Sequence, residues 1–92
     1  KAVKIKQEDK ALTLNVQGIF VEIGSVPGVD FIDFVAKNKY GEIMVDAENK
    51  TNAAGAFAAG DVTDVLEKQI IIAGGEGAKA ALSVFRYLSR KR

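Results

Sequence analysis

AFAAGDVTDV, residues 56–65, is the stretch from which the fold can be read outward. It begins apolar and small, reaches Gly60, and sets Asp61 directly after it. The pattern predicts a buried strand that delivers a carboxylate to the carboxyl edge of a sheet, where open α/β folds usually bind ligands. Glycine allows the backbone to turn, or to approach a ligand, without a side-chain clash. An ionised aspartate only accepts hydrogen bonds, so its natural partner carries hydroxyl or amide groups. A second reading has equal weight at this point: Asp61 caps a local turn.

Downstream, KQIIIAGGEGAKAA (residues 68–81) leads from the apolar Ile70, Ile71 and Ile72 through glycines into an amphipathic helix. Ala78, Ala81, Leu82, Phe85 and Leu88 follow helical spacing and predict its buried face, with Lys79, Ser83, Arg86 and Arg90 opposite. Gly74, Gly75 and Gly77 are expected at the helix start, where they permit close approach of a partner. Free amides there favour negative charge on a ligand. The segment lacks both GxGxxG spacing and a Walker lysine followed by Ser or Thr, so the simpler reading is a closely packed helix start.

Upstream, Val3 and Ile5 alternate with Lys4 and Lys6, then Leu12, Leu14 and Val16 alternate with Thr13 and Asn15. With the polar turn at 7–10 between them, they predict an antiparallel hairpin with one solvated face. After Gly18, residues 19–23 are almost continuously apolar and predict a strand covered on both sides. Gly24, Pro27 and Gly28 end it. Asp30 is placed as an N-cap for a short helix whose buried side is Phe31, Phe34 and Val35. Residues 43–45 predict a further strand, and a polar connection at 46–52 leads back to residues 56–59.

Composition narrows the chemistry. The 92 residues are 48% hydrophobic and 27% charged, as expected of one α/β core. Thirteen Lys and Arg against twelve Asp and Glu leave a net charge of +1, which creates no field to attract nucleic acid or an anionic membrane. The basic cluster Arg86, Arg90, Lys91 and Arg92 reads as a cationic helix finish. There is no cysteine, hence no disulfide, thiolate zinc site or redox dithiol, and no histidine to act as base or metal ligand. No metal site and no catalytic residue is expected. A chain starting at Lys1 is expected to be a processed or excised piece.

Four segments in order carry a family resemblance: GIFVEIGSVPG, GEIMVD, TNAAGAFAAGD and KQIIIAGGEGAKAALSVFRYL. Together they resemble the C-terminal part of the low-molecular-weight thioredoxin reductase family, which includes the flavoprotein subunit of alkyl hydroperoxide reductase. The resemblance covers nearly the whole chain. It implies an α/β fold: part of a three-layer, Rossmann-like FAD-binding domain, with an N-terminal β-hairpin from the adjoining nicotinamide domain. Residues 1–23 are then the end of the NAD(P)H-binding domain and 24–92 the C-terminal segment of the FAD-binding domain.

By the same resemblance, Asp61 matches the aspartate that hydrogen-bonds the ribityl chain of FAD, with Gly60 and Val62 beside it. Lys68, Gln69 and Ile70 match the segment along the isoalloxazine ring, and Ala73 the helix start beneath its pyrimidine edge. Thr51 opens the motif. Reduced flavin gathers negative charge near N1 and the C2 carbonyl, so amides and a helix N-terminus there favour that form. Gly28 departs from a common asparagine, and Gly74 from a usual alanine or threonine.

The implied activity is a cytoplasmic disulfide reductase that passes electrons from NAD(P)H through FAD to a thioredoxin-like or peroxidase protein. Complete relatives carry a GxGxxG, a second glycine-rich nucleotide site and a CxxC, none of which is in this sequence. The 92 residues alone are therefore expected to be inactive, to expose apolar surface and sheet edges, and to form a homodimer. The alternatives are a separate, non-catalytic flavin-binding or assembly module, and a plain structural α/β domain.

Overall fold

The computed structural model describes residues 1–90; Lys91 and Arg92 of the basic cluster lie outside the described residues. The chain opens on a two-stranded antiparallel sheet, β1 (Ala2–Gln7) and β2 (Lys10–Asn15), and closes on one long helix, α1 (Ile70–Arg90). The hairpin follows the alternation in the sequence: Val3 faces Leu14 and Ile5 faces Leu12. Its two-residue turn, Glu8 and Asp9, has both φ angles positive, 47° and 64°. That is the handedness a tight hairpin turn requires, because it matches the right-handed twist of the strands.

The hairpin makes no contact with α1. The radius of gyration is 19.5 Å and the extents are 66 × 25 × 22 Å. A compact chain of this length has a radius of about 12 Å, so the hairpin stands away from the body. The body is α1 with the irregular segment 29–69 laid along it, stitched by three isolated bridges: Lys37 to Ile43, Ile43 to Thr63 and Lys50 to Phe57. Val29 and Ile43 are its buried apolar residues.

Several expected elements differ. Residues 19–23 form no strand, and Phe20 and Ile23 are 95% and 91% exposed. An apolar run becomes a strand only where a neighbouring strand supplies the other half of its ladder, and none of the described residues does. At 30–35 there is a turn closed by the Ile32 amide on the Val29 carbonyl, 3.0 Å, rather than a helix. One turn does not recover the cost of helix nucleation unless its apolar side is packed, and Phe31 and Phe34 are exposed. The strands expected at 43–45 and 56–59 shrink to single bridges at Ile43 and Phe57.

The helix also differs in where it starts and how it faces. It begins at Ile70, with the Ala73 amide donating to the Gln69 carbonyl at 2.9 Å, so Gly74, Gly75 and Gly77 lie inside it. The face packed on the chain is Ile72, Ala73, Glu76, Lys79, Ala80, Ser83, Val84 and Tyr87, with Ser83 buried. The apolar face expected to be buried is open: Leu82, Phe85 and Leu88 are all exposed. Periodicity identifies the apolar stripe, but what covers a stripe depends on residues elsewhere.

Candidate functional site

The sheet end expected at Gly60 is a tight turn over 60–63. The Thr63 amide and Thr63 Oγ1 both donate to the Gly60 carbonyl, at 3.0 and 2.7 Å. Thr63 is fully buried and Gly60 has φ +84°. The left-handed conformation suits glycine, and the turn lies close to the helix: a Cβ on Gly60 would be in van der Waals contact with Ala73 Cβ, at 3.4 Å. The turn is thus seated directly against the first turn of α1.

Asp61 occupies the second position of that turn and is exposed. No hydrogen bond or ion pair engages its carboxylate among the described residues. Thr63, not Asp61, closes the turn, so the local-capping reading of Asp61 finds no bond to support it. Val62, half-buried, accepts the Ile43 amide at 2.8 Å through its carbonyl. Asp64 extends the same seam: its amide donates to the Ile43 carbonyl at 3.0 Å, and its Oδ1 accepts the Val45 amide at 3.1 Å. These bonds hold the turn in register with the segment at 43–45.

At the helix start, Gln69 and Ile70 are exposed. The amides of Ile70, Ile71 and Ile72 have no acceptor among the described residues. The first turn holds no acidic side chain to offset its partial positive charge. Lys68 behaves differently from its neighbours. Its ammonium donates to the carbonyls of Thr63 and Val65, the latter at 2.7 Å, and pairs with Glu42 Oε2 at 2.7 Å. Its three protons are all used within the chain.

Glu42 carries the other end of this contact. Its Oε1 accepts Asn38 Nδ2 at 2.7 Å, and the Lys68 and Asn38 hydrogen bonds hold its carboxyl below the usual carboxylate range, against a smaller opposing effect of burial. Farther along α1, buried Asn49, itself at φ +62°, donates through Nδ2 to the Ala58 carbonyl at 3.0 Å and to Glu76 Oε2 at 2.7 Å. Asn49 and then Lys79, 3.0 Å away, lower the Glu76 carboxyl. Among the described residues, Asn49 Oδ1 is buried without a hydrogen-bond partner.

Thr51 lies elsewhere. Its hydroxyl meets the Ala56 carbonyl at 2.9 Å and the Ala53 carbonyl at 3.2 Å, bracing the hairpin loop that includes 51–56. That loop packs by Phe57 on Tyr87, edge to face with ring centroids 5.8 Å apart, around a cavity of about 170 Å³. Ala73 and Tyr87 are about 21 Å apart along the helix axis, from a rise of about 1.5 Å per residue. The structure therefore brings together Gly60, Asp61, Val62, Lys68 and Ala73, followed by Gln69 and Ile70, and leaves Thr51 at the other end.

Sequence reasoning missed Thr63, Glu42, Asn38 and Asn49. A hydroxyl three residues after Gly60 was a usable signal, since Ser and Thr bond backbone in such turns. Glu42 and Lys68 are separated by too much chain for any local pattern to join them.

Comparison with known proteins adds ancestry to this geometry. A family model, that of pyridine nucleotide-disulphide oxidoreductase, matches residues 1–77. The chain is 52% identical over 80 residues to the F subunit of alkyl hydroperoxide reductase from Escherichia coli (strain K12), covering 86% of this chain and 15% of that protein. It is 54% identical over 78 residues to the corresponding protein of Staphylococcus aureus (strain MSSA476), covering 84% and 15%. In three dimensions it is similar to thioredoxin reductase of T. acidophilum, with a TM-score of 0.86 and 34% identity, over 99% of this chain and 31% of that one. Thioredoxin reductase from Giardia duodenalis gives a TM-score of 0.74 at 33% identity, over 96% and 30%. The chain thus spans about 15% of the length of these curated relatives.

Proposed function

This chain belongs to the pyridine nucleotide-disulphide oxidoreductase family, and on that premise we propose that residues 60–73 form one wall of an FAD site in a disulfide reductase. The observation that carries the reading is Asp61: an exposed, unengaged carboxylate on a glycine turn seated against the open N-terminus of α1. A carboxylate of this kind fits the hydroxyls of a ribityl chain, and the free amides of Ile70, Ile71 and Ile72 fit an electron-rich ring edge. The residues present therefore suit the group.

When bound, FAD supplies the two-electron relay between a nicotinamide and a disulfide. In this reading Asp61 accepts hydrogen bonds from the sugar-alcohol tail, while Gly60 lets the turn that carries it lie against Ala73 of the helix. Gln69 and Ile70 line the ring, and the start of α1 presents its positive end to developing negative charge. Val62 and Thr63 keep the turn in place. Thr51 takes a structural part, as its hydrogen bonds lie within its own loop.

The parent activity proposed is electron transfer from NAD(P)H through FAD to a disulfide on a thioredoxin-like or peroxidase partner. The alkyl hydroperoxide reductase relatives favour the peroxidase side. Residues 1–23 act as the end of the nicotinamide domain and 24–92 as the FAD-domain segment; the separate, extended position of the hairpin supports that division. The 92 residues alone do not turn over, since they hold no cysteine to carry the dithiol. A second reading, an assembly module completing another chain's flavin site or a homodimer, draws support from the uncovered Phe20, Ile23 and Phe85.

The test is Asp61→Ala in the complete protein. Loss of a hydrogen bond to a charged acceptor weakens FAD retention by about 1.5–3 kcal/mol, roughly a 10- to 150-fold rise in the dissociation constant. Wild-type flavin occupancy in that variant, measured by absorbance after gel filtration, removes Asp61 from the site.

A further inference from the structure

Between the Asp64 bonds to the segment at 43–45 and the first turn of α1, the backbone at 65–69 is irregular and joins no ladder among the described residues. Lys68 supplies the hold. Its ammonium reaches back to the Thr63 and Val65 carbonyls and across to Glu42, and the two charged side chains are only 27% and 18% exposed. Glu42 is itself fixed by Asn38, whose Nδ2 donates to Glu42 Oε1 and whose Oδ1 accepts the Glu42 and Tyr40 amides at 3.0 and 2.9 Å. The next residue, Ile43, is buried and bridged to Thr63. The contact therefore ties three places together: the turn at 38–42, the end of the Asp61 turn, and the residue before the helix cap.

We propose that Glu42 and Lys68 are positioning residues, a latch that holds the first turn of α1 against the Asp61 turn and so sets how strongly a bound flavin prefers its reduced state. This rests on the flavin reading above. The effect of a helix end fades within about one turn, so a shift of a few ångströms in residues 70–73 changes what it offers a ligand. Charge-assisted hydrogen bonds are roughly twice as strong as neutral ones, and Lys68 makes three, beside the bonds of Asp64 to Ile43 and Val45 and the long bond, 3.4 Å, from the Val65 amide to Thr63 Oγ1. The lysine acts through the backbone it holds; with its protons occupied, it has none left for the ring.

The competing role for Lys68 is that of a point charge acting directly on the flavin, and the two roles predict opposite signs. Glu42→Gln leaves the lysine charge in place and removes the anion that offsets it. A direct charge effect then favours the reduced flavin more, and raises the potential. A latch that opens favours it less: the reduced-over-oxidised preference falls roughly threefold to tenfold, which lowers the potential by about 15–30 mV for a two-electron couple.

The experiment measures the flavin potential of the complete, FAD-loaded protein as wild type, Glu42→Gln, Lys68→Met, Lys68→Arg and Asn38→Ala. Amide exchange at residues 70–73 is followed in the same proteins without flavin. The latch predicts a lower potential and at least threefold faster exchange in Glu42→Gln and Lys68→Met, near-wild-type values in Lys68→Arg, and a smaller change of the same sign in Asn38→Ala. An unchanged or raised potential in Glu42→Gln, or unchanged exchange at 70–73, overturns it. If Glu42→Gln does not fold, the Lys68→Arg and Lys68→Met pair decides: equal potentials and equal exchange overturn the latch. Asp61→Ala is run beside them, so that retained flavin there counts against the site and a null result at Glu42 alone counts against the latch.

Discussion

Replacing glycine by alanine should have opposite signs at two positions of this chain. Gly60 sits at φ +84°, and an added Cβ would meet Ala73 Cβ at 3.4 Å. That distance is ordinary van der Waals contact, so the cost is conformational: about 1–2 kcal/mol for a side chain in the left-handed region. Reduced freedom of the unfolded chain returns about 0.4–1 kcal/mol. Gly60→Ala should therefore destabilise by about 0.8 kcal/mol at the middle of these ranges, and by no more than about 1.6 kcal/mol. Gly74 lies within α1, and a Cβ there would meet nothing within 4 Å. Alanine is better than glycine in a helix interior by about 0.8–1 kcal/mol, so Gly74→Ala should stabilise by that amount. Urea denaturation of the 92-residue chain, read by helical circular dichroism, measures both. With a slope of about 1 kcal/mol/M, the midpoints should separate by more than roughly 1 M, in opposite directions from wild type. A stabilising Gly60→Ala would refute the assigned turn geometry. A destabilising Gly74→Ala would refute the open face of the helix.

The other predictions concern the polar framework. Thr63→Val should cost about 1 kcal/mol, because the buried hydroxyl's bond to the Gly60 carbonyl is lost while the amide bond to the same carbonyl remains; the urea midpoint reads this. Glu42 and Glu76 both have folded carboxyl values lowered from 4.5, by Lys68 and Asn38 and by Asn49 and Lys79 respectively. The folded state then binds fewer protons, so this stabilisation is full above that value and is lost as the pH falls through the folded values. Stability of the Glu42→Gln, Glu76→Gln double variant should vary less with pH below 4.5 than that of wild type, and an unchanged acid limb would count against both contacts.

The pairing of the hairpin was legible, because strict alternation and a polar turn are local properties, but the apolar face it was expected to bury is open: Ile5, Leu12 and Leu14 are exposed, since no other described segment covers them. The existence of a long C-terminal helix was legible too. Its start was placed late, at the glycines, with the three isoleucines read only as an apolar lead-in, but they are helical: the Gln69 carbonyl accepts the Ala73 amide. The strands at 19–23 and 56–59 were over-read for a different reason: a strand is a relation between two segments, and apolar content specifies only one of them. At the candidate site the order of Gly60, Asp61, Lys68 and Ala73 could be read from motifs. The use of Lys68 as a tie to Glu42 could not.

The amino acids alone indicated an α/β member of the pyridine nucleotide-disulphide oxidoreductase family, with an N-terminal hairpin, a Gly60-Asp61 step and a long amphipathic helix. Only the tertiary structure decided which helix face meets the chain, that Thr63 rather than Asp61 closes the turn, and that the Lys68 ammonium faces inward. The division has a physical cause. Turn dihedrals and helical periodicity are set by neighbours within a few residues, whereas burial and ion pairing depend on which distant segments the folded backbone brings within about 4 Å.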